Sequence, residues 1–277
     1  MSNTKQRIYS AILIVLIVTI AVAAGKITTL TMCLLFGILC VDELLVNFSQ
    51  IKRKDFLYKY VIGFFSLFFI LFNIVLDAKL SRGFFSIASL LLNLFLIFYL
   101  FKIPLKQGFM KNSTSKNPAL LSAIVIFPLI SFGVFFESTH WRSVLALLLV
   151  LTYGMDTGAW FVGKNFGKRK LWPEVSPKKT VEGFVGGVVI SSILGSITWV
   201  LLFKHYQWEY SVIFAFCGAV SQVGDLIQSK IKREFGIKDS SNLIPGHGGV
   251  YDRIDSLIFL SPFFAIIVKY LGRQVLL

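Results

Sequence analysis

Residues Val144–Val162 read Val-Leu-Ala-Leu-Leu-Leu-Val-Leu-Thr-Tyr-Gly-Met-Asp156-Thr-Gly-Ala-Trp-Phe-Val, a run with a single charge. A bilayer crossing takes roughly 17–25 mostly apolar residues. The run is apolar on nearly every face and lacks the alternation of a barrel strand, so a helix, which satisfies its own backbone in lipid, is the predicted form. Eight more stretches approach or meet the same length: Ile8–Ala24, Ile27–Val46, Leu57–Leu76, Phe84–Phe101, Ala119–Phe136, Val181–Phe203, Val212–Ile227 and Ile254–Leu271. The sequence therefore predicts an all-α polytopic membrane helix bundle of about nine transmembrane helices. Composition agrees, with 56% hydrophobic residues, 28 Phe, a mean hydropathy of +0.75 and only 15% charged residues, against about 25% in soluble domains. A soluble globular domain, a secreted disulfide scaffold, a disordered chain and a soluble nucleic-acid binder are excluded on the same grounds. Cys33, Cys40 and Cys217 lie singly inside apolar runs and read as packing residues.

The net charge of +14 is distributed unevenly. With the N-terminus inside, 21 of the 28 Lys and Arg fall on the cytoplasmic side, which predicts an N-in, C-out topology. The longer loops, 102–118, 163–180 and 228–253, fall on that side too, so the working face is expected to be cytoplasmic. Lys5 and Arg7 before an apolar run could also open a cleaved signal peptide, but eight later spans favour a signal-anchor. Two regions are expected: an N-terminal transmembrane bundle over 1–140, and a C-terminal catalytic region over 141–277 with the loops 163–180 and 228–253.

The 14 acids occupy two kinds of setting. Asp42, Glu43, Asp55, Asp77, Glu137 and Glu209 sit at span ends or in loops and are expected to be solvated. Asp156, Asp225, Asp252 and Asp255 sit inside or at the start of apolar helices, where a carboxylate costs about 2.5–3.5 kcal/mol on insertion scales unless paired or wetted. One such acid could be half of a helix-locking salt bridge. Four near the same ends of spans six, eight and nine favour a shared cation site, and all-oxygen ligands suit Mg²⁺ or Mn²⁺.

Two basic loops accompany these acids. The first contains Gly163-Lys-Asn-Phe-Gly-Lys-Arg-Lys170 and Ser176-Pro-Lys-Lys-Thr-Val-Glu-Gly183. Its near match to a phosphate-loop motif, Gly158 to Asn165, fails because the intervening Ala-Trp-Phe-Val ends a membrane helix and the Ser/Thr is missing. The second places His247 among Gly246, Gly248 and Gly249, with Lys232, Arg233, Lys238 and Arg253 around it. Glycines let a backbone approach an anion and aim N–H groups at it. Polyphosphate, metal and membrane together describe a nucleotide-using lipid enzyme.

The run Ser229–Asp255 resembles, position for position, the signature of the phosphatidate cytidylyltransferase (CDP-diacylglycerol synthase) family. Asp156-Thr-Gly-Ala-Trp-Phe-Val-Gly163 and Ser176–Gly183 look like a second region of that family. The resemblance covers roughly 150–271. It implies transfer of a cytidylyl group from CTP to phosphatidate with Mg²⁺, a second cation being left open. It also implies a multi-pass protein of the cell (inner) membrane, working with the lipid bilayer and not with nucleic acid, and a homodimer.

Within that reading, Asp225 and Asp252 would ligate the metal, with Asp255 and Asp156 completing or orienting the site. Lys238, Arg233 and the Gly246-His247-Gly248-Gly249 turn would hold the triphosphate, helped by Ser229, Lys232 and Arg253 of the same signature. Ser176, Lys178 and Lys179 would take the second phosphate. No general base is required, because a phosphate monoester with a second pKa near 6 is already nucleophilic at neutral pH. A CTP-dependent polyprenol or lipid kinase and another CDP-alcohol synthase remain as enzymatic alternatives. A cation-coupled transporter is the alternative from another class.

Overall fold

The computed structural model describes residues 3–76 and 79–275. Asp77 lies outside the described residues, as do the side chains of Lys5 and Arg273. The elements are α1 (Asn3–Ala24), α2 (Lys26–Glu43), α3 (Phe56–Ile70), α4 (Lys79–Lys102), α5 (Phe109–Lys116), α6 (Ala123–Ser131), α7 (Trp141–Phe166), β1 (Lys170–Trp172), β2 (Ser176–Thr180), α8 (Val181–Phe203), α9 (Trp208–Glu234) and α10 (Tyr251–Val275). Among the described residues nine helical segments are long and apolar enough to span a bilayer, and each coincides with one of the expected stretches. The chain is an all-α, multi-pass membrane protein.

Several boundaries differ from the sequence reading. Helix α9 runs on to Glu234, so Ser229, Lys230, Lys232 and Arg233 are helical, and the long loop shrinks to 235–250. A basic stretch reads as a loop by polarity alone, yet Lys, Arg and Gln are good helix formers. The loop after α7 contains an antiparallel β1–β2 hairpin, pairing Lys170 with Thr180 and Trp172 with Ser176. The fifth span is composite: 3₁₀ turns at Leu120–Ser122 and Phe132–Glu137 flank α6, which holds Pro128. Two spans end in π-helical turns, Leu44–Phe48 after α2 and Leu71–Val75 after α3.

The chain divides into two compact units, interleaved in sequence. The first comprises 1–92, 106–136 and 231–254; the second comprises 93–105, 137–230 and 255–277. In the first, α2 packs on α3 and α6 through Gly37, where a Cβ would strike Phe65 and Leu129. In the second, α7 and α8 are in close register. Gly183, Gly187, Ser191, Gly195 and Trp199 form a buried stripe at every fourth residue of α8. Ala159 O and Met155 O stand where a Cβ at Gly183 or Gly187 would go. Small residues let membrane helices approach closely, because packing rather than water exclusion joins them in lipid. The opposite stripe of α8, Val185, Val189, Ile193, Ile197 and Leu201, stays exposed, as a lipid-facing surface must.

One buried cation of the second unit is held by backbone carbonyls. Lys230, 1% exposed, donates to Tyr99 O at 2.7 Å, to Leu100 O at 3.0 Å and to Ile103 O, and lies 4.2 Å from the Tyr99 ring centroid. A helix leaves its last carbonyls without partners. This ammonium caps those of α4, and the carbonyls in return stabilise a charge removed from water.

Candidate active site

Loop 235–250 is shaped by glycines and by two carboxylates. Gly236, Gly246 and Gly248 have φ of 72°, 76° and 84°, a region that L side chains adopt with strain. Ile244 N bonds to Gly248 O at 2.8 Å and His247 N to Ile244 O at 2.9 Å, closing a tight turn that presents His247.

Glu43, the last residue of α2, holds both ends of this loop. Its Oε1 accepts from Ser241 Oγ (2.8 Å) and Val250 N (2.9 Å), and its Oε2 from Ser240 Oγ (2.7 Å) and Tyr251 N (3.0 Å). Glu43 is 2% exposed, which overturns the expectation that it is solvated. Asp42 beside it is also engaged, by Arg53 at 2.7 Å and Tyr58 at 2.8 Å. The signal for Glu43 was present in the sequence: the span drawn as Ile27–Val46 already placed it inside its own apolar run.

Asp252 is the second anchor. Its Oδ2 accepts from Ser240 N (2.7 Å), Gly249 N (2.9 Å) and Ser240 Oγ (3.0 Å), while Oδ1 pairs with Lys232 Nζ at 2.8 Å. The Lys232 and Asp252 side chains are 10% and 4% exposed. A Cβ at Gly249 would collide with Ser240 Oγ and the Glu43 carboxylate, so the glycine is needed there for space. Ser240 is the hub: its N–H and hydroxyl serve the two acids, and its carbonyl accepts from Asn47 Nδ2 at 2.7 Å. Its single hydroxyl proton can serve only one of the acids at a time.

A cavity of about 670 Å³ opens beside the turn, lined by Arg7, Lys238, Asp239, Asn242, His247 and Arg253 and by the backbone of 244–248. Three cationic side chains against one acid make it complementary to an anion. The His247 pKa lies below the ordinary value, because burial and then Arg253 and Arg7 disfavour the imidazolium.

The second unit carries its own cavity, of about 440 Å³. Asp156, Trp160 and Lys164 come from α7, Ser176, Lys178 and Lys179 from β2, Phe184 from α8, and Gln222 and Asp225 from α9. The hairpin is fastened at its base by Thr180, which caps α8 by accepting from Gly183 N at 3.1 Å, and by Glu182, which accepts from Lys168 N at 3.0 Å. Lys179 Nζ bonds to Asp225 Oδ2 at 2.5 Å, and Ser229 Oγ donates to Oδ1 at 3.3 Å.

The structure therefore gathers Asp156, Asp225, Ser176, Lys178 and Lys179 in one cavity, and Lys238, Gly246, His247, Gly248 and Arg253 in the other. Among the described residues, Ser229, Lys232, Arg233 and Gly249 line neither; Arg233 bonds to Ile237 O at 3.1 Å. Asp255 accepts from Ser256 N at 2.7 Å. Among the described residues no group of three or more His, Cys, Asp or Glu is gathered as for a metal ion. The donor set of the second cavity still fits Mg²⁺, which typically binds through one or two carboxylates plus substrate phosphates and water.

Fold and cavities define a multi-pass membrane protein with a cavity in each unit that is lined by cationic side chains. Residues 5–271 match the model of the cytidylyltransferase family, and the chain belongs to that family. It is 48% identical over 115 residues to phosphatidate cytidylyltransferase of Bacillus subtilis (strain 168), covering 41% of this chain and 43% of that protein. It is 42% identical over 133 residues to the protein of that name from Staphylococcus saprophyticus, covering 48% of this chain and 50% of the relative. With Staphylococcus aureus (strain COL) the identity is 41% over 133 residues, with the same coverage. The chain spans about half the length of the curated relatives it matches.

Proposed function

We propose that this chain is a phosphatidate cytidylyltransferase: a phosphate oxygen of phosphatidate attacks the α-phosphorus of CTP, the bond to the β-phosphate oxygen breaks, and CDP-diacylglycerol and pyrophosphate leave. The observation that carries the reading is the basic cavity built by the Gly246–Gly249 turn in a chain of the cytidylyltransferase family. Two polyanions must be brought together, so the work is electrostatic neutralisation and positioning. Lys238, Arg253 and His247 would hold the triphosphate against the turn. Lys178, Lys179 and Ser176 would hold the lipid phosphate, with Trp160 and Phe184 supplying an apolar wall for the adjoining glycerol and chains.

Asp156 and Asp225 would hold Mg²⁺, which when bound there supplies positive charge against the phosphates. Lys179 already neutralises Asp225 and would exchange that carboxylate for a phosphate. A metal at Asp252 would have to displace Lys232 from its carboxylate.

The setting proposed is the cell membrane, N-in and C-out, with the site on the cytoplasmic face, supported by the 21-to-7 division of Lys and Arg. Cysteines placed in 163–180 should label only from the cytoplasm and those in 204–210 only from outside; the reverse would overturn this orientation. A homodimer is proposed on the family resemblance, with light scattering in detergent as its test.

The reaction is tested with solubilised protein, phosphatidate and CTP labelled at either the α- or the γ-phosphate. Label from the α-position should enter the lipid. Label from the γ-position in the lipid would make the protein a kinase, and no turnover at all would favour a transporter.

A further inference from the structure

The first helix is apolar after the polar Asn3–Arg7 segment, and none of its spanning window is buried within the chain. Its Arg7 reads, from sequence, as one more charge that sets topology. The structure gives that end of α1 a second set of contacts. Arg7 Nε donates to Gly246 O at 2.9 Å, fixing the guanidinium on the wall of the 670 Å³ cavity. One turn further on, Ser10 Oγ lies 2.6 Å from His247 Nδ1 and 3.2 Å from Pro245 O.

We propose that α1 completes the nucleotide site, with Arg7 binding the triphosphate of CTP and Ser10 orienting His247 toward it; this rests on the cytidylyltransferase reading above.

Three observations support it. First, Arg7 changes the character of the cavity: Lys238 and Arg253 against Asp239 leave an excess of one positive charge, and Arg7 doubles it. Second, a guanidinium offers five N–H donors in a planar fork suited to phosphate oxygens, of which the bond to Gly246 uses one. Third, Ser10 engages Nδ1 of His247, which leaves Nε2 as the ring atom for a ligand. The Ser10 hydroxyl also faces Gln6 O at 2.9 Å, so its one proton serves either that carbonyl or Nδ1. When it goes to Nδ1, Nε2 carries the ring proton; when Nδ1–H donates to Ser10, Nε2 gives a hydrogen bond to a phosphate oxygen only as the imidazolium. Arg7 and Arg253 line the same cavity as His247, and after burial both disfavour its imidazolium. A bound polyanion would offset both. The cavity size also falls within the roughly 300–1,000 Å³ of small-molecule sites.

The test uses the whole solubilised protein, with equilibrium binding of CTP measured alongside steady-state kinetics. Arg7→Ala should weaken CTP binding and raise KM for CTP about ten- to hundredfold, the range of one lost charge-assisted bond. KM for phosphatidate should stay near its starting value. Because Arg7 also counts toward topology, the same change is made with Asn3→Arg, which restores the charge at that helix end; the CTP defect should persist. Ser10→Ala should move the acidic limb of the pH profile for kcat/KM of CTP, and Ser10→Thr should restore it. Unchanged CTP binding in both Arg7→Ala proteins would overturn the inference. Failure of the unaltered protein to bind CTP would instead overturn the underlying function.

Discussion

Glu43 and Ser240 lie 197 positions apart in the chain and share a hydrogen bond of 2.7 Å, with the carboxylate almost wholly withdrawn from solvent. That bond, with three others to the same carboxylate, ties the end of α2 to both ends of the glycine loop. Glu43→Gln keeps the shape but puts an NH₂ group where two donors already point. We expect a stability loss of about 2–3 kcal/mol, from bonds to a charged group worth about 1.5–3 kcal/mol each and a buried donor left unpaired. KM for CTP should rise as the loop loosens. Thermal melting in detergent and CTP kinetics check this; an unchanged melting temperature would refute the clamp.

Asp252 is expected to matter twice. Asp252→Asn leaves the nearly buried Lys232 without its carboxylate, and breaking a buried pair typically costs about 3–5 kcal/mol. Adding Lys232→Met should restore much of that stability. If Asp252 also serves the metal, the double variant stays at least about a hundredfold slow at every Mg²⁺ concentration. Recovery of turnover together with stability would confine Asp252 to holding the loop.

The Lys179–Asp225 pair predicts competition. The side chains are 21% and 26% exposed, so water and a ligand reach the pair and it can exchange. Lys179→Met should lower the Mg²⁺ concentration for half-maximal activity several-fold, because the metal no longer displaces an ammonium. It should also raise KM for phosphatidate. A higher Mg²⁺ requirement would place the metal elsewhere.

His247 makes stability fall toward acid. Its folded pKa is depressed by burial, Arg253 and Arg7, so protonation favours the unfolded chain. Its contribution is fully present above the ordinary histidine pKa, near 6.5. It is lost as pH falls from there through the depressed folded value. The melting temperature of the ligand-free protein should drop across that window, and His247→Gln should flatten the drop.

What could be read from sequence was what depends on one segment alone. Nine spans follow from hydropathy, and Asp156 and Asp225 stood out because a carboxylate inside an apolar helix requires a reason. Gly246, Gly248 and Gly249 around His247 marked a close backbone approach, and the structure adds the positive φ of Gly246 and Gly248. The residues missed depend on segments far apart in the chain. Glu43 shows its place inside an apolar run, but its partners Ser240, Ser241, Val250 and Tyr251 cannot be read from that segment. Arg7 and Lys230 were absorbed into a charge count that explains any cation at a helix end. Lys232 and Arg233 looked like loop residues because polarity hides the last turns of α9.

The Glu43 clamp also has a consequence for biosynthesis. At roughly 5–20 residues per second, about 10–40 s separate synthesis of Glu43 from synthesis of Ser240, the earliest of its partners in the chain. For that interval α2 can already be in the bilayer while its terminal carboxylate must find water or a proton instead. Val250 and Tyr251 emerge only as the ninth span begins, so a ribosome stalled before that point leaves a membrane-inserted chain with no closed glycine loop. Closure of this site therefore waits on residues made long after α2 has reached the bilayer, and insertion of the first spans cannot by itself complete it.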